Sequence, residues 1–376
     1  MIRLTLPTLS ALLHAYMGWR LIPALPGSLS VSTAVLLLLS AWLVPQGLGR
    51  RGHGSAHRGL TIAGLVAMGW MSSLLVLTLL RDLLLGLAHA GHALGWWALN
   101  QPTLATGSAG TVLSGALALT LWGAWQARRR PPVVQVEVPI AGLPVGLQGF
   151  TIAQISDIHV GPTIRRPQLQ AMVDAVNALQ ADAVAITGDL VDGSVAQLAE
   201  HVAPLAELKA RHGAFFVTGN HEYYSGGPDW VAEVERLGVR VLMNEHVTLQ
   251  HQGSPLVLAG VADYTAHHFE PSHRSDPQAA LAGAPSEAGA KVLLAHQPRS
   301  AEAAAAAGFD LQLSGHTHGG QFWPWGWFVP LQQPFVAGLH QVQQMWIYVS
   351  RGTGYWGPPK RVGAPSEITL LRLVAA

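Results

Sequence analysis

The sequence predicts a chain of two parts: an all-α transmembrane region of about four helices over residues 1–130, and a layered α/β domain over residues 131–376. Three observations lead there. Uncharged apolar stretches crowd the first third, short apolar runs alternate with amphipathic segments from Val133 onward, and the two regions differ in charge. Hydrophobic residues make up 49% of the 376 and charged residues only 11%, too apolar for an average soluble protein. Residues 1–130 hold nine Arg and one acid, Asp82; the remainder holds 13 Lys and Arg against 20 Asp and Glu, so the parts carry +8 and −7. An acidic second part argues against a groove for a nucleic-acid backbone, which needs clustered cations. With no cysteine, disulfides, thiolate metal sites and cysteine nucleophiles are excluded.

Each element of the first part follows from hydropathy and charge. The stretch Leu4–Leu25 is the weakest, with Arg20 near one end, whereas Ser28–Val44, Gly59–Leu80 and Leu104–Ala127 contain no charge. A helix needs about 20 apolar residues to cross the hydrocarbon core. Arg3, Arg50, Arg51, Arg58 and Arg128–Arg130 all fall on one side of a four-span arrangement, leaving Arg20 and Arg81 opposite. That bias puts both termini in the cytoplasm. The segment Asp82–Asn100, with Trp96 and Trp97, reads as an interfacial helix. Within the spans, His14 and Arg20 are the polar candidates and no charge pair is expected. Arg128–Pro132 reads as a stop and a stiff linker.

In the second part "FTIAQIS", "AVAIT", "AFFVTG", "KVLLAH" and "LQLSG" have the pattern of buried strands. "RPQLQAMVDAVNALQ" and "VAQLAEHVAPLAELKARHG" have the helical period. The later runs "PLVLAGVAD", "MWIYVSRG" and "EITLLRLV" suggest antiparallel pairs of a second sheet. Five strand ends then deliver polar groups in order: Asp157 and His159; Asp189; Asn220, His221 and Glu222; His296; and His316 and His318. A lone D-x-H or G-D is an ordinary turn. The ordered set is not, and its carboxylate, amide and imidazole groups suit divalent Mn, Fe or Zn in numbers sufficient for two ions.

These motifs, D-x-H, G-D, G-N-H-E, H and G-H-T-H, resemble those of the calcineurin-like metallophosphoesterase superfamily over Gly149–Leu373. The resemblance implies a double β-sheet sandwich flanked by helices and carrying a two-metal centre. It implies Asp157, His159 and His318 at one ion, Asp189 bridging, and Asn220, His296 and His316 at the other. His221 is then a catalytic group approaching phosphate and leaving group rather than a ligand. "SGHTHGGQ" with an N-terminal hydrophobic region is similar to a membrane-linked bacterial branch, which is itself similar to certain UDP-2,3-diacylglucosamine pyrophosphatases. The expected protein is an integral, multi-pass inner-membrane hydrolase of phosphoester or pyrophosphate bonds, its catalytic domain cytoplasmic. Its expected partners are the bilayer and a phosphoester, lipid-linked in one reading and soluble in another; a third reading is a non-catalytic scaffold or sensor.

Further expectations concern surrounding residues. Glu222 is a candidate to orient His221. Arg165, Arg166, Arg351 and Arg361 are candidates for phosphate contact. Phe322, Trp323, Trp325, Trp327 and Phe328 follow the G-H-T-H turn, broken by Pro324 and Gly326. They read either as a loop that meets the lipid surface or as rings packed on the second sheet.

Overall fold

Helices form where the uncharged stretches lie, and strands where the short apolar runs lie. The computed structural model describes residues 5–49, 57–98 and 100–376. The chain divides into two units: residues 1–128 with 357–362, and residues 129–356 with 363–376.

In the first unit, α1 (Leu6–Leu21) starts where the Thr5 hydroxyl accepts the Thr8 N–H and Pro7 occupies the first turn. Three longer helices follow: α2 (Gly27–Gly49), α3 (Arg58–Ala93) and α4 (Gln101–Arg128). Among the described residues, these three are long and apolar enough to cross a membrane. With 16 residues α1 falls short, so three candidate spans replace the expected four. The residues expected to form a separate interfacial helix instead extend α3 as far as Ala93. Asp82 does not break the helix because its charge is met: Tyr16 Oη donates to Oδ2 at 2.6 Å and Arg20 Nε at 2.8 Å. Arg81 lies 3.7 Å from Oδ1 and also donates to Ser108 Oγ at 2.9 Å and to the carbonyls of Arg20 and Ala105 at 3.2 Å. The helices therefore carry a charge pair that the sequence reading lacked, and it ties α1, α3 and α4 together. His14 joins α1 to α2 through Ser40 Oγ at 2.8 Å.

Small residues set the helix spacing. A Cβ on Gly64 would collide with the α2 backbone at Gly47, so these two helices meet backbone to backbone. Residues 357–362 belong to this unit: Lys360 Nζ donates to Gly69 O at 2.9 Å and to Ser73 Oγ, and Arg361 N–H donates to Gly123 O at 3.0 Å. Side chains on Gly69 or Gly123 would press on Pro358, Lys360 and Val362.

The second unit holds β1 (Val133–Ile140), β2 (Thr151–Ile155), α5 (Arg166–Ala178), β3 (Ala183–Ile186), α6 (Val195–Val202), β4 (Ala214–Phe216), α7 (Asn220–Tyr224), α8 (Gly227–Arg236) and β5 (Arg240–Val241). It continues with β6 (Glu245–His251), β7 (Ser254–Gly260), α9 (Pro277–Ala280), β8 (Ala290–Leu294), α10 (Ala301–Ala307), β9 (Leu311–Ser314), β10 (Gly338–Val342), β11 (Met345–Val349) and β12 (Ile368–Ala375). They make two six-stranded sheets, β1-β12-β2-β3-β4-β5 and β10-β11-β9-β8-β7-β6. Ile152, Ala185 and Leu371 from one sheet and Leu258, Val292 and Leu313 from the other share a fully buried core, which makes the pair a sandwich. Strands β2, β3 and β4 run parallel, so their C-terminal ends emerge on one edge.

Two expectations change here. The run ending the chain, β12, lies in the first sheet, parallel to β1 and antiparallel to β2. Strands β7 and β11 each pair parallel to one neighbour, β8 and β9 respectively, as well as antiparallel to another. The helix expected to run from Val195 to Gly213 ends at Val202, where Pro204 sits in the first turn of a 3-10 segment.

Candidate metal centre

Five strand ends, three from one sheet and two from the other, bring the predicted residues to one place. Asp157 and His159 follow β2, Asp189 follows β3, Asn220 and His221 open α7 after β4, His296 follows β8, and His316 and His318 follow β9. Asp157, His159 and His318 form one group able to hold an ion, and Asp189, His296 and His316 another. In the first, His318 Nε2 lies 3.4 Å from Asp157 Oδ1 and 3.1 Å from His159 Nε2. In the second, His296 Nε2 lies 3.2 Å from both Asp189 Oδ2 and His316 Nδ1. Asp189 Oδ2 is also 3.7 Å from His159 Nε2, so one carboxylate reaches both groups.

The backbone is bent to make this possible. Asp157, His159, Asp189, His316 and His318 all have positive φ, between 51° and 71°. A side-chain-bearing residue held in this region costs on the order of 1–3 kcal/mol, and such strain gathers at functional sites. Gly315 and Gly219 permit the close approach, since a Cβ on either would collide with the Asp157 or Asp189 carboxylate.

The residues fit divalent cations. Ligand atoms about 3.0–3.4 Å apart are what coordination at ~2.1 Å requires. Asn220 Oδ1 is buried with no hydrogen-bond partner, an acceptor in search of positive charge. Burial opposes the charge on Asp189, yet the imidazoles of His296 and His221 hold its carboxyl well below the usual range. Burial and then the charge of His296 push His316 down to about 3, leaving its lone pair available at neutral pH.

His221 makes a third such group with His159 and Asp189, its Nε2 4.0 Å from Asp189 Oδ2. Its Nδ1–H donates to Asp192 Oδ1 at 2.6 Å, and the same oxygen accepts from His159 Nδ1 at 3.1 Å. Asp192 was absent from the sequence reading; the signal was its place in "GDLVDG", one turn beyond Asp189. Glu222 does not orient His221. Its Oε2 accepts the N–H groups of Asp189 and Gly219 at 3.0 and 2.6 Å, and its Oε1 those of Leu190 and Val191 at 2.8 and 3.3 Å. Burial and then Asp189 push this carboxyl up to about 8. Both oxygens nevertheless face donors, so the geometry suits the ionised form.

The arginines separate. Arg351 pairs with Glu367 at 2.8 Å, and its Cγ lies against Gly319 in the metal turn. Arg165 caps α5 beside His201. Arg361 is buried in the helical unit. After the turn, the aromatic run forms short 3-10 segments at Trp325–Trp327 and Val329–Leu331. Trp327 is 72% exposed and Leu331 81%, and Trp323, Trp325 and Phe328 are exposed as well. These rings stay at the surface rather than joining a core.

Residues 150–320 match the family model described as calcineurin-like phosphoesterase. A Danio rerio "Transmembrane protein with metallophosphoesterase domain" is 40% identical over 266 residues, covering 69% of this chain and 61% of that protein. An "Uncharacterized metallophosphoesterase" of Helicobacter pylori is 38% identical, covering 67% and 66%. One of Aquifex aeolicus is 32% identical, covering 61% of this chain and 87% of its own. The chain thus spans 54–61% of the length of the animal relatives it matches.

Proposed function

The chain belongs to the calcineurin-like metallophosphoesterase family; on that premise we propose that it is a phosphoester hydrolase working with two divalent ions at a membrane surface. Asp157, His159 and His318 would hold one ion, Asn220, His296 and His316 the other, with Asp189 shared between them. The carrying observation is Asp189 Oδ2, within 3.2 Å of His296 Nε2 and 3.7 Å of His159 Nε2. The ions, Mn, Fe or Zn by the donor set, would lower the pKa of an attacking water and neutralise the phosphoryl oxygens.

The rest is the work of the chain's own side chains. As the water oxygen bonds to phosphorus, the bond to the leaving oxygen breaks and its electron pair needs a proton. His221 supplies that proton from Nε2, because Nδ1 is committed to Asp192. Burial works against the imidazolium, and the Asp189 and then the Asp192 carboxylates favour it, carrying its pKa up to about 9 in the ion-free chain. The intact ligand set and His221 speak against a non-catalytic scaffold.

The substrate in this reading is lipid-linked, with a bond of the phosphoester or pyrophosphate class. Three apolar helices and the exposed tryptophans beside the centre support it. Arginine bias favours placing the catalytic unit in the cytoplasm. Since Arg50 and Arg51 come between α2 and α3, Arg58 opens α3, Arg128 ends α4 and Arg129 and Arg130 follow it, that placement does not depend on whether α1 crosses. Screening the purified full chain with Mn²⁺ against lipid-linked and soluble phosphoesters tests the reading. Cleavage of soluble esters alone would leave a tethered phosphodiesterase.

A further inference from the structure

The His221 imidazole stands among other rings. Tyr224, one turn along α7, has its ring centroid 5.2 Å away at an interplanar angle of 63°. Trp356, from the loop after β11, lies 5.8 Å away at 77°. Phe269 extends the Tyr224 side, 5.5 Å from that ring. None of them belongs to a core: Tyr224 is 61% exposed, Phe269 51% and Trp356 40%.

A half-exposed tryptophan on a loop is ordinarily mobile, but the Trp356 backbone is clamped. Gln321 Nε2 donates to the Trp356 carbonyl at 2.7 Å, and the Trp356 N–H donates to Gln321 Oε1 at 2.8 Å. Gln321 is buried and follows directly on the turn that carries His316 and His318. Trp356 is thereby referenced to the metal centre. Tyr224 is referenced to it too, by the short helix that begins with Asn220. Neither ring is needed to hold phosphate, which is served by cations and imidazoles. Partly exposed rings anchored beside a reacting centre instead attract flat unsaturated groups, by offset or edge-on stacking.

We propose that Tyr224 and Trp356 are the walls of a leaving-group subsite beside His221, selecting phosphoesters whose departing alcohol carries a flat, unsaturated ring. The inference rests on the assignment of His221 to the leaving oxygen. Gln321 acts in it as a positioning residue.

Binding separates this idea from the hydrolase reading. The probes are phenethylphosphonate and cyclohexylethylphosphonate, inert mimics of benzyl and cyclohexylmethyl phosphate, titrated by calorimetry into the full chain loaded with Mn²⁺ in detergent. Apolar area alone favours the cyclohexyl probe. Stacking reverses the order, and the phenyl probe binds about 3- to 10-fold tighter to the wild-type chain. Trp356→Leu and, independently, Tyr224→Leu bring the ratio toward unity, while Trp356→Phe retains most of it. Equal binding of both probes to the wild type, or an undiminished preference in both leucine variants, overturns the proposal. A phenyl preference in a chain that hydrolyses no phosphomonoester, phosphodiester or pyrophosphate would uphold the walls and sink the hydrolase reading instead.

Discussion

Asp192 Oδ1 accepts hydrogen bonds from His221 Nδ1 at 2.6 Å and from His159 Nδ1 at 3.1 Å, so one buried oxygen orients both the proposed proton donor and a proposed ligand. Burial opposes its charge, but the two imidazoles hold the carboxyl well below the usual range. Asp192→Asn keeps the shape and removes the charge. Turnover should fall about 10- to 100-fold and manganese affinity should weaken, the usual cost of losing a carboxylate behind a ligating histidine. Steady-state kinetics across a Mn²⁺ titration check this; an unchanged kcat with unchanged metal affinity would remove Asp192 from the account.

Glu222 gathers four backbone N–H groups from the loops that carry Asp189 and Asn220. In Glu222→Gln one oxygen becomes an NH₂ pointed at donors. The folded state should lose about 1–3 kcal/mol, the cost of leaving buried donors unsatisfied. Thermal unfolding of the detergent-solubilised chain measures it. A melting temperature equal to the wild type's would show that the cradle is not a structural device.

How much of this could be read from the chain alone depended on sequence distance. Asp157, Asp189, Asn220, His296 and His316 were legible because each directly follows its own apolar run, and parallel strands then align their ends. Asp192 was not, because a second Asp in a turn is ordinary and its partner His221 lies on another strand's loop. Glu222 was misread for a similar reason: adjacency to His221 suggested service to that ring, whereas its carboxylate turns back to the β3 loop. The length of α3 was hidden by Arg81 and Asp82, which look like a stop until Tyr16 and Arg20 of α1 meet them. Strand β12 was assigned to the wrong sheet because periodicity reports burial, and burial is the same in both.

The exposed tryptophans after the metal turn carry the membrane-docking reading. No Asp, Glu, Lys or Arg occurs between Asp310 and Arg351, so nothing charged in this segment opposes burial in a lipid interface. Replacing Trp325 and Trp327 with Ser should impair hydrolysis of bilayer-embedded phosphoester while sparing a small soluble phosphodiester. Equal losses on both substrates would assign the rings to the catalytic unit itself.

Topology can be read directly. A reporter fused after Ala376 should behave as cytoplasmic, and a second fused between α3 and α4 as external, because the arginine clusters lie on the other side. The reverse pattern would place the catalytic unit outside and exclude a cytoplasmic-leaflet substrate.

The central claim is that one carboxylate, Asp189, joins two ion sites into one centre. The most direct test is the turnover of a generic phosphodiester by purified full-length Asp189→Asn at saturating Mn²⁺, beside the wild type. The account predicts a loss of at least ~100-fold, because dismantling a two-metal clamp removes both charge neutralisation and activation of the attacking water. Hydrolysis by Asp189→Asn at the wild-type rate would contradict it.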